Sequence, residues 1–329
     1  MRCDLHNLRN ATRLTFAATA IFVPALPCLA TGTTTIFAPG VTADSGWYDV
    51  TKKSTQARAY KDSNMCWAAV SSTLIQYWQD SYVAAGNELP EGTPNGSGTK
   101  TYFDMGCYES AIFECYMDNW DLTTAGQIVM GVPWYFSGEC PNYSNTSKPI
   151  TSNSGGYFKN EYASLQKVLG ENFTMNSYGA YSAWGPWAPD QSRKCLDLFS
   201  ERVSEILQKG AGGIEFAAGA GHTATLWGAD FDASGMVSAV YLTDSDDRAT
   251  TLVDGEAKPT LTRYAITSND SDRSVYLCNY NPDNKFGNVK VTSLFGLAAY
   301  PIPEPSAFGL LAGTCALAIV AARRRTKKT

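Results

Sequence analysis

Apolar and polar positions follow two patterns along this chain, one typical of helices and one typical of strands. Residues 65–82, 108–120 and 196–207 carry apolar side chains at helical spacing. From Gly213 onward, short runs of strand-forming residues such as GIEFAAGA, TATLWGAD and MVSAVYLTD are separated by Gly, Asp and Ser. Helical segments that precede a strand-rich half predict an α+β fold.

The two ends of the chain carry targeting patterns. Residues 1–13 are basic, and residues 14–26 form an apolar run that is too short to span a bilayer. Ala30 is the small residue at the expected cleavage site. Residues 1–30 are therefore predicted to be a secretory signal peptide that signal peptidase removes.

The C-terminal segment, residues 303–329, combines three features in a fixed order. Pro303-Glu304-Pro305 precedes the uncharged stretch 306–322, and a basic cluster follows at 323–328. As a helix the uncharged stretch would reach about 26 Å, close to the thin end of a hydrocarbon core. The order resembles the PEP-CTERM sorting signal that exosortases cleave in Gram-negative envelopes, and a simple tail anchor is the alternative.

That resemblance implies an exosortase as a partner during maturation and membrane contact only through this segment before processing. It also implies an exported protein, located in the cell envelope, on the surface or outside a Gram-negative-type bacterium. Residues 31–302 remain as the body, for which we predict one domain.

Charge excludes one class of partner. The chain of 329 residues has a net charge of −5, but the body alone has 18 basic and 29 acidic side chains. Such a body has no overall attraction for phosphate backbones, so we expect no nucleic-acid binding.

Cysteine supplies the candidate chemistry. The body contains six of the nine cysteines, namely Cys66, Cys107, Cys115, Cys140, Cys195 and Cys278. They form no closely spaced pair, and the body has a single histidine, so we predict neither a metal site nor a cofactor. In an exported protein we expect Cys66 to stay reduced while up to four of the others pair.

Cys66 differs from the other cysteines by its neighbourhood. Residues 62–64, Asp-Ser-Asn, are N-cap candidates directly before the helical pattern. The thiol would then lie in the first helical turn, where the helix dipole lowers its pKa. This is a favourable position for a nucleophile.

His222 is the imidazole that a cysteine nucleophile would need as its base. It begins a predicted strand, and the turn at residues 232–235 leads into a second strand. If that hairpin pairs Phe231 with Met236, His222 lies opposite Ser245, between Asp244 and Asp246. Strand counting therefore brings a carboxylate to the imidazole without choosing between the two aspartates.

Two stretches resemble the IgG-degrading streptococcal cysteine endopeptidases of the IdeS/Mac type. They are HTATLWGADFDASGMVSAVYLTDSD at residues 222–246 and GWYDVTK at residues 46–52. Weaker similarity extends the resemblance to about residues 44–300. It implies a papain-like cysteine protease fold of the α+β class, in which the helix carrying the nucleophile packs on a mainly antiparallel sheet.

The resemblance also implies a role for each site residue. Cys66 matches the nucleophile, His222 the base and Asp244 the residue that orients the base. Lys52 matches a lysine that helps to build the oxyanion hole, and Asp246 matches a second, supporting carboxylate. The implied function is a cysteine endopeptidase with a protein substrate, for which immunoglobulin is one possibility.

Two other classes of function stay open. A non-catalytic surface-binding protein on a protease scaffold would use Trp134, Trp184 and Trp187 as contact residues. A thiol acyltransferase of the transglutaminase type would use the same Cys-His-Asp set. A hyper-reactive Cys66 argues against the first alternative, and peptide cleavage without amine incorporation argues against the second.

Overall fold

The structure is a computed structural model. It describes residues 33–52, 62–102, 107–140, 148–150, 154–169, 176–177, 194–219, 221–246, 250–253, 256–259, 261–280 and 287–301. Within these ranges, none of the helices combines the length and apolar character needed to cross a membrane. The predicted signal peptide and the predicted sorting signal with its transmembrane segment lie outside the described residues.

The described helices are α1 (Cys66–Ala84), α2 (Ala111–Asn119), α3 (Ile128–Ser137), α4 (Tyr162–Leu169) and α5 (Cys195–Lys209). The described strands are β1 (Thr34–Phe37), β2 (Ser97–Tyr102), β3 (Cys107–Ser110), β4 (Asn176–Ser177), β5 (Gly210–Phe216), β6 (His222–Phe231), β7 (Val237–Thr243), β8 (Thr250–Val253), β9 (Glu256–Pro259), β10 (Thr262–Asn269), β11 (Ser274–Leu277) and β12 (Val289–Ala298). The helices predicted near α1, α2 and α5 and the strands predicted near β5, β6 and β7 are confirmed.

Six of these strands close into an antiparallel barrel. Strand β6 pairs with both β5 and β7, and β7 pairs with β10. The ring continues through β11 and β12, and β12 returns to β5. Strand β1 is attached to the last four residues of β6, and β4 is attached to β12.

The predicted papain-like fold, a nucleophile helix packed on a mainly antiparallel α+β sheet, is wrong. The strands are antiparallel, but they form a closed six-stranded barrel that only a few helices accompany in the described part of the chain. Hydrophobic alternation shows which residues share a face of a strand, but it does not show which distant strands meet. Strand β6 is buried at every position, so its burial does not alternate between an inner and a solvent-facing side.

Helix α1 lies between the barrel and the other helices of the first half. It packs against β5 and β6 on one side and against α2 and α3 on the other. The Thr73 and Thr225 hydroxyl oxygens lie 2.9 Å apart and link α1 to β6. On the opposite side the Trp78 ring meets Phe136 of α3 edge to face at 4.8 Å. Burial on all sides fixes α1 and the residue at its N-terminus.

Candidate active site

Cys66 is the first residue of α1. A short 3-10 turn, Asp62–Asn64, precedes the helix, and Met65 occupies the N-cap position without a capping side chain among the described residues. The predicted N-cap at residues 62–64 is therefore wrong, whereas the predicted first-turn position of Cys66 is confirmed. Cys66 is partly exposed, and its thiol lies at the positive end of the helix dipole.

Trp67 fixes this end of the helix by apolar packing. Its ring is buried and contacts Tyr116 at 5.4 Å and Trp120 at 4.7 Å. Gly131 leaves room for the ring, because a Cβ at that position would lie 2.6 Å from Trp67 Cζ3. The residue next to Cys66 is thus held in a slot that only a glycine permits.

His222 begins β6 opposite Phe216, the last residue of β5. The two rings meet edge to face with centroids 5.5 Å apart. The imidazole Nε2 and Asp244 Oδ1 are 2.6 Å apart, and both side chains are buried. Because Nε2 faces the carboxylate, Nδ1 is the nitrogen left for the hydrogen bond between His222 and Cys66.

Asp244 follows the last residue of β7 and is 2% exposed. Its Oδ1 also accepts a hydrogen bond of 2.9 Å from the Asp246 backbone N–H. Its Oδ2 accepts one of 2.5 Å from the Tyr280 hydroxyl. These donors satisfy a buried carboxylate that would otherwise be costly to ionise.

The predicted hairpin register is wrong by one residue at each end of the β6–β7 pair. Phe231 pairs with Val237 instead of Met236, and at the other end Thr225 pairs with Thr243. Two irregularities within the pair shift the register along its length, and residue counting does not detect such bulges. Asp244 still meets His222, because the two residues lie at adjoining ends of neighbouring strands.

Lys52 and Asp246 meet beside the imidazole. The Lys52 ammonium is 4% exposed; it lies 2.5 Å from Asp246 Oδ1 and donates a 2.8 Å hydrogen bond to the Ser63 carbonyl. Asp246 is 39% exposed, and its Oδ2 lies 3.6 Å from His222 Nδ1. The backbone N–H of Lys52 bonds to the Ser245 carbonyl, which ties the two segments together. The structure thus brings together all five residues predicted for the site.

Tyr280 is a site residue that the sequence reasoning missed. It lies three residues beyond β11, and its ring stacks near Phe216 at 4.5 Å and His222 at 6.2 Å. The ring is buried, and its hydroxyl reaches Asp244. A tyrosine in a turn-rich stretch carries no sequence signal for this role, because its contact forms only when the barrel closes.

The electrostatics favour charge separation between the thiol and the imidazole. Burial alone would raise the pKa of the Cys66 thiol, but the hydrogen bond from His222 and the positive charges of His222 and Lys52 outweigh it, and the pKa is lowered. Burial alone would lower the pKa of His222, but the charge and hydrogen bond of Asp244, together with the bond to Cys66, raise it. The two opposite shifts favour a thiolate on Cys66 beside an imidazolium on His222.

Asp244 remains ionised in this arrangement. Burial alone would raise the pKa of its carboxyl group, but the His222 charge and the three hydrogen-bond donors hold the pKa below its usual range. A permanently charged Asp244 keeps the imidazole in one orientation.

The same acidic side chains bear on the question of a metal. His222, Asp244 and Asp246 each offer one ligand atom, and these atoms lie within 4.8 Å of one another. Such a donor set suits a divalent cation. Here, however, His222 Nε2 and Asp244 Oδ1 bond to each other at 2.6 Å, so they share a proton and leave no space for an ion between them. The expectation that the site has no metal or cofactor stays a prediction.

The predicted disulfides and the predicted tryptophan contacts concern the other cysteines and three tryptophans. Cys66, Cys115, Cys195 and Cys278 all carry free thiols, so the structure forms none of the predicted disulfides among these residues. Trp134, predicted as a contact residue of a binding surface, is 1% exposed in the aromatic core and is not available to a partner. Trp184 and Trp187 lie outside the described residues.

Comparison with known proteins adds a relationship to this geometry. A family model described as Mac 1 matches residues 29–89 and 195–289. These two segments contain Cys66, His222 and Asp244. The chain is similar to the Mac-1 family. The Mac-1 match also includes Lys52 and Tyr280, and it leaves out α2, α3 and α4.

One curated relative adds to the Mac-1 similarity. An IgM protease of Streptococcus suis (strain P1/7) is 28% identical over 226 residues, which cover 63% of this chain and 18% of the relative. The chain therefore spans about a fifth of the length of that protein. Together with the Mac-1 match, this similarity suggests a peptidase.

Proposed function

We propose that this protein is an exported cysteine endopeptidase that uses Cys66 as its nucleophile. The observation that carries the proposal is the chain of contacts from Cys66 to His222 and from His222 to the buried Asp244. The opposite pKa shifts of the thiol and the imidazole support it further, because an activated cysteine needs a nearby acid that holds the proton.

The first half of the proposed reaction is acylation. The Cys66 thiolate attacks the carbonyl carbon of the scissile peptide bond, and the carbonyl oxygen becomes an oxyanion. As the C–N bond breaks, the His222 imidazolium gives its Nδ1 proton to the leaving amine. The products are a free amine and a thioester on Cys66, with a neutral imidazole.

The second half is hydrolysis of the thioester. Neutral His222 takes a proton from a water molecule, and the resulting hydroxide attacks the thioester carbon. The C–S bond breaks, the carboxylic acid leaves and the thiolate–imidazolium pair is restored. Asp244 stays ionised throughout and holds the imidazole so that Nδ1 faces the thiol.

Lys52 is the proposed electrostatic partner of the oxyanion, together with the Cys66 backbone N–H. An ammonium group has three donors. Among the described residues, the Ser63 carbonyl and Asp246 take two of them. The third donor would face the developing negative charge, and fixed donors of this kind favour the transition state over the substrate.

A protein substrate is the class that the similarity to an IgM protease supports. Immunoglobulin M is therefore the first native protein to test as a substrate. That this chain, which matches 18% of the relative, cleaves the same protein is part of the proposal. Asp246 is the exposed member of the site, so we place the entrance for a polypeptide on the Asp246 side of Cys66 and His222.

Export and sorting complete the proposal. The signal-peptide pattern at residues 1–30 supports secretion, and the PEP-CTERM pattern at residues 303–329 supports processing by an exosortase at a Gram-negative-type envelope. Intact-mass analysis of the exported protein tests this directly: we expect a species without residues 323–329. A full-length C-terminus in the exported protein would reject sorting and support a tail anchor.

The activity test compares the full chain with its Cys66→Ala variant. Each is incubated with immunoglobulin M and with a mixed peptide library, and new N-termini are identified by mass spectrometry. We expect new termini with the wild-type chain and none with Cys66→Ala. Cys195→Ala is the matched control, because Cys195 is also a free thiol at the first position of a helix, but its charged neighbours are Asp270 and Arg273. This variant should cleave normally.

A labelled primary amine in the same reactions separates hydrolysis from acyl transfer. Incorporation of the amine without new termini would replace the peptidase by a transglutaminase-type acyltransferase. An unreactive Cys66 with no new termini would instead leave a binding protein on a protease scaffold.

A further inference from the structure

Tyr280 occupies the far side of the Asp244 carboxylate. Asp244 Oδ1 faces His222 Nε2 and the Asp246 backbone N–H, whereas Oδ2 accepts the Tyr280 hydroxyl at 2.5 Å. The two carboxylate oxygens thus have different partners from different parts of the chain. Removing the Oδ2 donor would free the carboxylate to rotate about its Cβ–Cγ bond and turn Oδ1 away from the imidazole.

The position of Tyr280 is itself well fixed. Its side chain is 3% exposed, and its ring packs between Phe216 at 4.5 Å and Tyr264 at 5.5 Å. Its backbone N–H donates a 2.9 Å hydrogen bond to the Gly287 carbonyl. The hydroxyl is therefore presented to Asp244 by packing and by the backbone, rather than by a flexible arm.

The Tyr280 hydroxyl acts as a donor and not as an acid. Burial raises its pKa, and the negative charge of Asp244 raises it further. The phenol thus keeps its proton over the range in which the thiol and the imidazole exchange theirs. Its hydroxyl donates to Asp244 Oδ2, whereas His222 faces Oδ1, so Tyr280 acts on the imidazole through Asp244.

We propose that Tyr280 is a positioning residue that keeps Asp244 ionised and aligned with His222, and through them sustains the reactive Cys66 thiolate. This inference rests on the proposed cysteine chemistry, and it adds a residue from beyond β11 to the site. Removing a hydrogen bond to a charged group corresponds to a loss of about 10–100-fold in activity. We expect this loss in kcat, with KM nearly unchanged, because Tyr280 does not face the substrate.

The test measures the rate of Cys66 alkylation by iodoacetamide against pH, which needs no substrate. In the wild-type chain we expect the reactivity to reach its plateau at a lower pH than that of an ordinary thiol. In Tyr280→Phe, the acid limb should move to higher pH, because a poorly aligned imidazolium stabilises the thiolate less. Tyr276→Phe is the matched control: that tyrosine also donates to an aspartate, Asp272, but at an exposed site on β11.

A double-mutant cycle separates positioning from packing. If Tyr280 works through Asp244, Tyr280→Phe should change neither the alkylation profile nor kcat in an Asp244→Ala background. Incorporation of 3-fluorotyrosine at position 280 gives a second reading if Tyr280→Phe folds poorly. Its stronger donor should move the acid limb to lower pH.

The results decide between two separate failures. A Tyr280→Phe profile that coincides with wild type and with Tyr276→Phe would overturn the positioning role, even if the wild-type chain cleaves protein. The positioning role would also be overturned if Tyr280→Phe lowered kcat equally in the wild-type and in the Asp244→Ala background. A shifted profile in a chain that hydrolyses no protein would uphold the positioning role and reject the peptidase.

Discussion

The two halves of the site are held in place by different forces. On the helix side, Cys66 starts α1 without a capping side chain among the described residues, and the neighbouring Trp67 is fixed in an aromatic slot beside Gly131. On the barrel side, His222 is fixed by a polar chain that runs through Asp244 to Tyr280. Apolar packing positions the nucleophile, and hydrogen bonds position the base.

Because of this difference, substitutions on the helix side and on the barrel side should affect stability and activity separately. Packing around Trp67 contributes to the core of the whole domain, so its loss should lower stability first. The polar chain on the barrel side consists of a few groups that tune charge, so its loss should lower activity first. Variants on each side provide a direct test of this division.

The largest effect should come from removing the reacting groups. We expect Cys66→Ala and His222→Ala each to lower kcat/KM by about 10⁶-fold, because nucleophile and base act as a unit. The thermal midpoint should change little in Cys66→Ala, since Cys66 is partly exposed. It should fall in His222→Ala, since the buried Asp244 carboxylate then loses its charged partner. The measurement is kcat/KM on a cleaved reporter together with a melting curve. Full activity in His222→Ala would refute the mechanism, because residues 31–302 contain no second histidine.

Removing the orienting carboxylate should have the next largest effect. Asp244→Ala leaves the base present but poorly aligned, and we expect a loss of about 10⁴-fold in kcat. Asp272→Ala is the control, because this exposed aspartate also accepts a tyrosine hydroxyl but lies outside the site. Equal activity of the two variants would show that the contact between His222 and Asp244 has no catalytic role.

Lys52 and Asp246 should matter less. Lys52→Ala removes one proposed oxyanion donor, for which we expect a loss of about 10²–10³ in kcat. Asp246→Ala should cost less than either Lys52→Ala or Asp244→Ala, because its side chain is 39% exposed and its contact with His222 is longer. A larger loss of kcat in Asp246→Ala than in Asp244→Ala would show that Asp246, and not Asp244, orients the imidazole.

Substitutions on the helix side should lower the free energy of unfolding instead of the activity. In Gly131→Ala the new Cβ would lie 2.6 Å from Trp67 Cζ3, and we expect a destabilisation of about 1–3 kcal/mol from overpacking. An alanine in a helix normally stabilises by about 0.5–1 kcal/mol, so the sign is diagnostic. The measurement is denaturant unfolding, with kcat determined on the folded fraction, where it should stay near wild type.

A compensating variant sharpens this test. Trp67→Phe in the Gly131→Ala background removes the clashing ring atoms and should recover part of the lost stability. A Gly131→Ala variant as stable as wild type would show that the slot around Trp67 is looser than described.

The sequence predicted local structure better than closure of the barrel. Cys66 and His222 were found because a thiol at a helix start and a single body histidine leave few combinations. Lys52 was found through family resemblance alone, since a lysine beside another lysine is ordinarily a solvated surface residue. Tyr280 was missed and the papain-like fold was wrongly predicted for one shared reason. Both depend on pairings between distant strands, from β6 around to β12, which no local pattern encodes.

The central claim is that His222 holds Cys66 as a thiolate, and titration of thiolate absorbance in the far ultraviolet tests it most directly. Subtracting the Cys66→Ala signal removes the other cysteines. In the wild-type chain the Cys66 midpoint should lie below the ordinary thiol value of about 8.5, because its pKa is lowered by His222 and Lys52. Since the pKa of His222 is raised, its charge persists above pH 6.5 and its stabilising effect is lost only as pH rises through that raised value. In His222→Ala the midpoint should return to the ordinary thiol range or above it. The same midpoint with and without His222 would contradict the account.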